Sequence, residues 1–206
     1  MGSVFDLFAQ HDDVDTKLVA ALERLSQVFR VRLREEAWKR DLSPTQAQFL
    51  IYLLYHDVEL RRVSQLAREF DLTKATVSDA VASLETKRLV QREQWPEDRR
   101  VVTLRLTPDG EKLATILSEW ADPVREHLER FSPEERKAVM RFLVGLIGSL
   151  QRSGLITVAR MCVTCRFFLQ DIHPDEPAPH HCGLLGVPLS GADLRVDCPE
   201  HEPAVG

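Results

Sequence analysis

The fold of this chain is decided by residues 61–107, RRVSQLAREFDLTKATVSDAVASLETKRLVQREQWPEDRRVVTLRLT. In the first part of this stretch, Val63, Leu66, Ala67 and Phe70 recur at helical spacing. This spacing predicts a short helix with one apolar face.

A second helix is predicted directly after the first, with Thr73 as its N-cap residue. Val77, Val81 and Leu84 repeat at steps of four and three residues, so we expect them to face the core. Polar residues are left on the outer face: Lys74, Thr76, Ser78 and Ser83. Two short amphipathic helices joined by a tight turn form a helix-turn-helix, whose second helix fits a DNA major groove about 12 Å wide.

The hydrophobic period then changes from helical to alternating. Residues 89–92 and residues 101–106 have the composition of two strands. A polar loop, residues 95–100, joins them and contains a proline. Helix, turn, helix and β-hairpin in this order predict a winged helix-turn-helix.

Residues 43–112 resemble the MarR family of bacterial transcription regulators. The resemblance rests on LTKATVSDAVASLETKRLV and on PEDRRVVTLRLTPDGEKL, which is similar to the family signature D-x-R-x-x-x-x-x-L-T-x-x-G. It implies a homodimer with the second helix in the major groove and the wing arginine, here Arg99, in the minor groove. It also implies that Asp98 holds this arginine in place.

Two positions depart from the family pattern. The family often has an arginine in the middle of the recognition helix, where this chain has Asp79, and this puts individual base contacts in doubt. The family commonly has glycine just before the first wing strand, where this chain has Arg88. A residue other than glycine in a left-handed helix end costs about 1 kcal/mol, which the fold can tolerate.

Charge supports DNA as the partner of this segment. Residues 61–105 contain ten basic and seven acidic residues, a net charge of +3 in a chain whose net charge is −5. Local positive charge is what contacts to phosphate groups require. We expect double-stranded operator DNA to be contacted by Ser64, Thr73, Lys74, Thr76, Ser78, Ser83, Arg92, Arg99 and Arg100.

Helical patterns precede the winged domain. Asp12 or Asp13 can cap a first helix that continues to about Lys39, and Ser43-Pro44 can begin a second one. Residues 49–54 are mostly apolar and are expected to be deeply buried.

Further boundaries follow the same logic. Residues 56–60 predict a turn into a very short first strand, and His56 within them fits a structural role better than an effector pocket. Residues 107–110 begin a helix that Pro123 is expected to kink or end, and a capping box at residues 132–135 begins the last helix.

The first and last helices have wide apolar stripes, which predict that both are buried against a second copy of the chain. The alternative is that they bury each other within one subunit. The predicted fold is therefore mainly α with a small β-wing (α+β). Its expected segments are an N-terminal dimerisation helix (1–42), a winged helix-turn-helix (43–107), C-terminal dimerisation helices (108–154) and a Cys/His-rich tail (160–206).

The tail differs in composition from the rest of the chain. From residue 171 onward it contains seven acidic residues and one arginine, a net charge of −6, so we do not expect it to touch DNA. Its apolar residues are too few to hold a proline-rich segment of this length together unaided, and small units of this kind usually contain a metal or disulfides.

All four cysteines of the chain lie in the tail, within Cys162-x-x-Cys165, His180-His181-Cys182 and Cys198-x-x-His201. Two residues between ligands allow both to reach one metal ion from a tight turn. The expected ligands are Cys162, Cys165, Cys182 and Cys198, with His181 or His201 in reserve. A zinc ion is the leading expectation, and an iron–sulfur cluster or metal-free thiol chemistry are the alternatives.

These features predict a dimeric transcription regulator, a repressor by preference, that reads a palindromic operator and carries a metal or redox-responsive tail. The alternative is a winged-helix adaptor that binds another protein and has a structural zinc clamp. A small-molecule or redox effector is a further expected partner. We expect no enzyme, because nucleophile elbows, phosphate loops and paired catalytic carboxylates are not apparent in the sequence. The sequence also has no long apolar run and no secretory signal, so we expect a cytoplasmic protein without a membrane span.

Overall fold

Seven α-helices and two small antiparallel sheets make up the described part of this computed structural model, which is residues 3–6, 8, 13–95, 98 and 100–204. The helices are α1 (Val14–Trp38), α2 (Pro44–Tyr55), α3 (Val63–Glu69), α4 (Lys74–Thr86), α5 (Pro108–Ser118), α6 (Asp122–Leu128) and α7 (Pro133–Arg152). The strands are β1 (Val90–Gln94), β2 (Val102–Leu106), β3 (Phe168–Leu169), β4 (His180–Cys182) and β5 (Val187–Leu189). The mainly helical fold with a small β-wing is therefore confirmed.

The chain divides into two compact units. Unit 1 comprises Met1–Tyr55, Ala80–Gln91 and Leu106–Val124, and unit 2 comprises His56–Asp79, Arg92–Arg105 and Arg125–Gly206. Unit 1 holds α1, α2, α5 and the second half of α4, whereas unit 2 holds α3, the first half of α4, most of both wing strands, the larger part of α6, α7 and the tail. The four segments predicted from the sequence are continuous stretches of the chain, whereas each unit combines three separate stretches. The four segments stay a prediction.

The core of unit 1 is built around α2, which lies against both α1 and α5. Phe49, Leu50 and Leu53 of α2 are fully buried, as their apolar pattern predicts. Leu54 is only partly buried, because it lies at the edge of the helix face that α2 turns toward the core.

Side-chain caps fix where three helices begin. The Asp13 carboxylate accepts a hydrogen bond from the Thr16 N–H (2.9 Å) at the start of α1, which confirms one of the two predicted caps; Asp12 lies outside the described residues. Thr107 caps α5, and Ser132 forms a reciprocal capping box with Glu135 at α7. These local signals place the helix starts because orphan N–H groups need acceptors.

The structure alters one predicted boundary and confirms another. Residues 58–60 form a 3-10 turn within the predicted turn, but no strand follows it before α3 in the described residues, and the Arg61 carbonyl accepts one hydrogen bond from the Leu104 N–H (2.7 Å). The helix after the wing ends at Ser118 and a 3-10 turn follows, so it is interrupted just before Pro123 as predicted. Pro123 lies in the first turn of α6, where a missing N–H costs nothing.

A close backbone approach joins the wing to α5 within unit 1. Arg88 adopts a positive φ of 57°, as expected for the position where the family has glycine. The next residue, Leu89, accepts a hydrogen bond from the Thr107 N–H (3.1 Å) through its carbonyl oxygen. A Cβ on Gly110 would overlap that same oxygen, so only glycine fits at this point of α5.

The tail adds structure that the sequence analysis does not predict. β3 pairs with β4 and β4 with β5, in an antiparallel three-stranded sheet within unit 2. Met161 and Leu194 of the tail form a small buried cluster with Val144 of α7. In the described residues, no helix has the length and apolar character needed to cross a membrane.

Replacing Gly110 with alanine is expected to lower the free energy of unfolding by about 2 kcal/mol or more, because the Leu89 backbone must move. Gly145 is the matched control, since it lies inside α7 and its Cβ would meet nothing within 4 Å. Gly145→Ala should raise stability by about 0.5–1 kcal/mol through helix propensity. Chemical denaturation measures both values, and equal effects of the two substitutions would contradict the close approach.

Candidate nucleic-acid interface and cysteine-rich tail

The predicted recognition helix, α4, presents a polar face and buries an apolar one. Val77, Val81 and Leu84 are fully buried. On the outer face, Lys74 and Thr76 are exposed and Ser78 is partly exposed. The helix therefore has the two-sided character that a DNA-reading helix requires.

Thr73 fixes the start of α4. Its hydroxyl accepts a hydrogen bond from the Thr76 N–H (3.1 Å) and lies 2.9 Å from the Thr76 hydroxyl. The predicted cap is thus confirmed. It partly engages the hydroxyls of Thr73 and Thr76, both of which we expect to contact DNA. Asp79 is exposed on the same helix, where an anion would face the DNA phosphates.

The remaining predicted DNA-contact residues lie at several places in the fold. Ser64 is exposed on α3 and Arg92 is exposed on β1. Ser83 is partly buried on the second half of α4. Unit 2 contains most of the expected set: Ser64, Thr73, Lys74, Thr76, Ser78, Arg92 and Arg100.

The wing arginine that Asp98 holds is Arg100. The Asp98 carboxylate accepts hydrogen bonds from the Arg100 backbone N–H (3.0 Å) and from its Nε (3.1 Å), and the Arg100 side chain is 92% exposed. Arg99, the residue expected in this role, lies outside the described residues. The D-x-R spacing of the signature also fits Arg100, and the expected pairing of Asp98 with Arg99 stays a prediction.

The base of the wing is held by backbone and side-chain contacts within unit 2. The Trp95 N–H donates to the Val101 carbonyl (2.8 Å) and closes the loop. Arg105 and Glu93 form an ion pair across the two strands (3.3 Å). These contacts position the strands, because cross-strand pairs are the unit of sheet stability.

A charged cluster that the sequence analysis misses connects the tail to the region before α3. Asp197 accepts hydrogen bonds from the Arg160 guanidinium (2.6 and 3.1 Å), and its second oxygen lies 2.8 Å from Nε2 of His56. The His56 and Arg160 side chains are 13% and 15% exposed. We name His56, Glu69, Arg160 and Asp197 the Asp197 cluster.

Glu69, at the end of α3, belongs to this cluster through its electrostatics. Burial raises the pKa of its carboxyl, the Arg160 charge opposes that rise, the Asp197 charge adds to it and His56 opposes it. Two of the charges that act on this carboxyl, those of Arg160 and Asp197, belong to tail residues.

The segment just before the tail caps α3. The Thr157 hydroxyl donates a hydrogen bond to the Arg68 carbonyl (3.3 Å), one of the carbonyls that the last turn of a helix leaves without an intrahelical donor. His56 in turn is fixed on its other side, because its carbonyl accepts from Nε of Arg61 (2.7 Å). The C-terminal end of α3 therefore contacts Thr157, and the segment before α3 contacts Asp197 of the tail through His56.

The four cysteines line one cavity of about 30 Å³, whose other walls are mostly apolar. All four are free thiols and partly buried. The reserve ligands lie elsewhere: Nε2 of His201 is 3.0 Å from the Thr164 hydroxyl, and His181 sits in the middle of β4 opposite Leu169. In their present rotamers, no three of the described Cys, His, Asp or Glu side chains are arranged to hold a metal ion.

Known proteins resemble this chain over its winged domain. A sequence profile of the MarR family matches residues 40–101. The transcriptional regulator HosA of Escherichia coli O111:H- is 30% identical over 125 residues, which cover 60% of this chain and 91% of HosA. The chain belongs to the MarR family.

Two further comparisons support this assignment. The uncharacterized HTH-type transcriptional regulator YdgJ of Bacillus subtilis (strain 168) is 34% identical over 95 residues, 46% of this chain and 57% of YdgJ. The structure of a Staphylococcus aureus MepR–DNA complex shares the fold, with a TM-score of 0.56 and 24% identity over 64% of this chain and 97% of MepR. This MarR-family protein is a DNA-binding transcriptional regulator, and the expectation that it is not an enzyme is confirmed by its family.

Arg100→Ala is expected to weaken DNA binding by about 1–3 kcal/mol, because Arg100 is exposed on the wing and held by Asp98. Arg99→Ala is expected to have an effect of the same size and to leave any dimer intact. Fluorescence anisotropy with a duplex selected from a random library by the full-length protein measures both, with Arg125→Ala on exposed α6 as the matched control. Unchanged affinity in both wing variants would mean that the wing does not touch DNA.

Proposed function

We propose that this MarR-family protein is a homodimeric repressor that reads a palindromic operator in double-stranded DNA and responds through its C-terminal tail. The observation that carries the DNA-reading part is the two-sided α4, with three fully buried valine and leucine side chains on one face and exposed Lys74 and Thr76 on the other. Such a helix is stable only when its apolar face packs against its own domain. Its polar side chains then remain available to contact base edges and phosphates.

Exposed apolar side chains support the dimer. On α1, Val14 is 65% and Leu25 is 52% exposed, and on α7, Val139 is 56% and Phe142 is 45% exposed. Each helix thus exposes apolar side chains in the single chain, which supports burial against a second copy.

A two-fold dimer explains the palindrome. Two recognition helices related by a two-fold axis meet two half-sites about one helical turn apart. A dimer bound across a promoter occludes it without needing any further protein contact, which favours repression. Such a regulator acts on chromosomal DNA, so we keep the cytoplasm as its expected location.

The tail is proposed to control DNA binding through the Asp197 cluster. Thr157, just before the tail, caps the C-terminal end of α3, and Asp197 of the tail ties His56, in the segment that leads into α3, to Arg160. Asp197 directly precedes Cys198, one of the four thiols at the tail cavity. A metal ion or oxidant acting on these thiols therefore changes the position of a residue that holds the α3 region.

Salt dependence tests the DNA-reading part. Binding to the selected duplex should weaken steeply as the salt concentration rises, since counterions are released from phosphates. Lys74→Ala should reduce the slope of log affinity against log salt by about one. A protein-interaction adaptor predicts weak binding to every duplex with no difference between wild type and Lys74→Ala, and that result would overturn the proposal.

Asp197→Asn tests the response of the tail. Treatment of the full-length protein with a metal chelator is expected to lower operator affinity at least about fivefold, the lower end of typical coupling between sites. Asp197→Asn should bind operator with an affinity that the chelator does not change. Asp193→Asn is the matched control, because Asp193 is a tail carboxylate that bonds Ser190 instead, and it should keep the response.

A purely structural tail predicts a different pattern. The chelator would then lower the melting temperature while the operator affinity of the remaining folded dimer stayed constant in wild type and in both variants. That outcome would contradict the proposed regulatory role.

A further inference from the structure

The tail brings four thiols together from three separate segments. Cys162 and Cys165 flank a 3-10 turn, Cys182 ends β4, and Cys198 lies in the last segment of the chain. Backbone pairing holds these segments side by side, since the Cys162 N–H donates to the Arg195 carbonyl (3.1 Å) and the Cys198 N–H to the Arg160 carbonyl (2.8 Å). The four cysteines therefore come together because of how the tail backbone folds, and not only because of where their side chains point.

Three of these cysteines each begin a tight turn. The Cys165 N–H donates to the Cys162 carbonyl (2.9 Å), the Gly186 N–H to the Cys182 carbonyl (2.8 Å), and the His201 N–H to the Cys198 carbonyl (3.2 Å). Turns of this kind recur where cysteines bind a structural metal ion, because they place a sulfur and several N–H groups on one side.

Donor groups already point at two of the sulfurs. The Arg195 N–H lies 3.2 Å from Sγ of Cys162, and the Arg195 guanidinium lies 3.7 Å from Sγ of Cys198. Arg195 also pairs with Glu200 (3.7 Å), the one acidic residue in the cavity wall. Such contacts would orient these two sulfurs at a bound ion.

A divalent cation at the centre of the four sulfurs would bind them as thiolates, and each thiol that binds it would release its proton.

We propose that Cys162, Cys165, Cys182 and Cys198 form a tetrahedral binding site for a single zinc ion. This zinc site adds to the proposed function. Its role in regulation rests on that function, whereas the binding of zinc does not. Four cysteine side chains and mostly apolar neighbours line the cavity, which supplies the donor set and the dry walls of a structural zinc site.

Binding requires the four sulfurs to move closer together. The four side chains line the cavity but are not arranged as ligands in this structure, so each sulfur must move to about 2.3 Å from the bound ion. The walls contributed by Phe167, Phe168 and Leu189 then exclude water from the bound ion.

Metal analysis of the full-length protein, purified without oxygen or chelator, tests the site without any DNA. We expect about one zinc ion per chain, and less than about a tenth of that in Cys162→Ser/Cys165→Ser, because two of four ligands are lost. His181→Gln is the matched control and should retain the zinc, since His181 does not line the cavity.

Thiol alkylation of the wild-type protein keeps the proposal testable if the double variant fails to fold. Zinc should protect all four cysteines from iodoacetamide, and a chelator should expose all four together. Iron and sulfide in a coloured protein, zinc retained in the double variant, or no zinc bound by the reduced protein after zinc chloride is added would each overturn the site. Loss of operator binding with normal zinc content would instead count against the proposed function alone.

Discussion

The shortage of apolar side chains in the tail is the constraint on which the arrangement of unit 2 depends. Among its described residues, Met161 and Leu194 are the apolar side chains that become buried, and they do so against Val144 of α7. So small a cluster cannot offset the entropy of ordering about fifty residues. The tail is therefore held by polar and ionic contacts, and the contacts it makes with the α3 region carry functional consequences.

Asp197 shows how such a contact links two functions. One carboxylate binds Arg160 within the tail and His56 ahead of α3, and its neighbour in the chain is Cys198. Because the His56 and Arg160 side chains are both largely buried, a shift of Asp197 would remove its carboxylate from two poorly solvated polar side chains. The tail and the α3 region are thus expected to move together, and a ligand that orders the tail also orders the helix that precedes the recognition helix.

Local features of the sequence predict much of this structure, and long-range features do not. Caps at Asp13, Thr107 and Ser132 and the buried face of α4 follow from spacing within a few residues. In the wing, the D-x-R spacing of the signature fits the observed pair of Asp98 and Arg100, whereas Arg99 lies outside the described residues. The pairing of His56 with Asp197 spans 141 residues, and the tail strands of two or three residues have no periodicity to detect. Cysteine spacing predicts the four-thiol site, whereas the turns that hold it become visible only in the structure.

Hydrogen–deuterium exchange on the full-length protein, with zinc bound and after its removal, tests most directly whether the tail controls the α3 region. Removal of zinc is expected to speed amide exchange in residues 160–204 and also in α3, because Thr157 and Asp197 lose their positions. Exchange in α2 and α5, which belong to the core of unit 1, should stay unchanged. Faster exchange confined to the tail, with α3 as protected as before, would contradict the coupling.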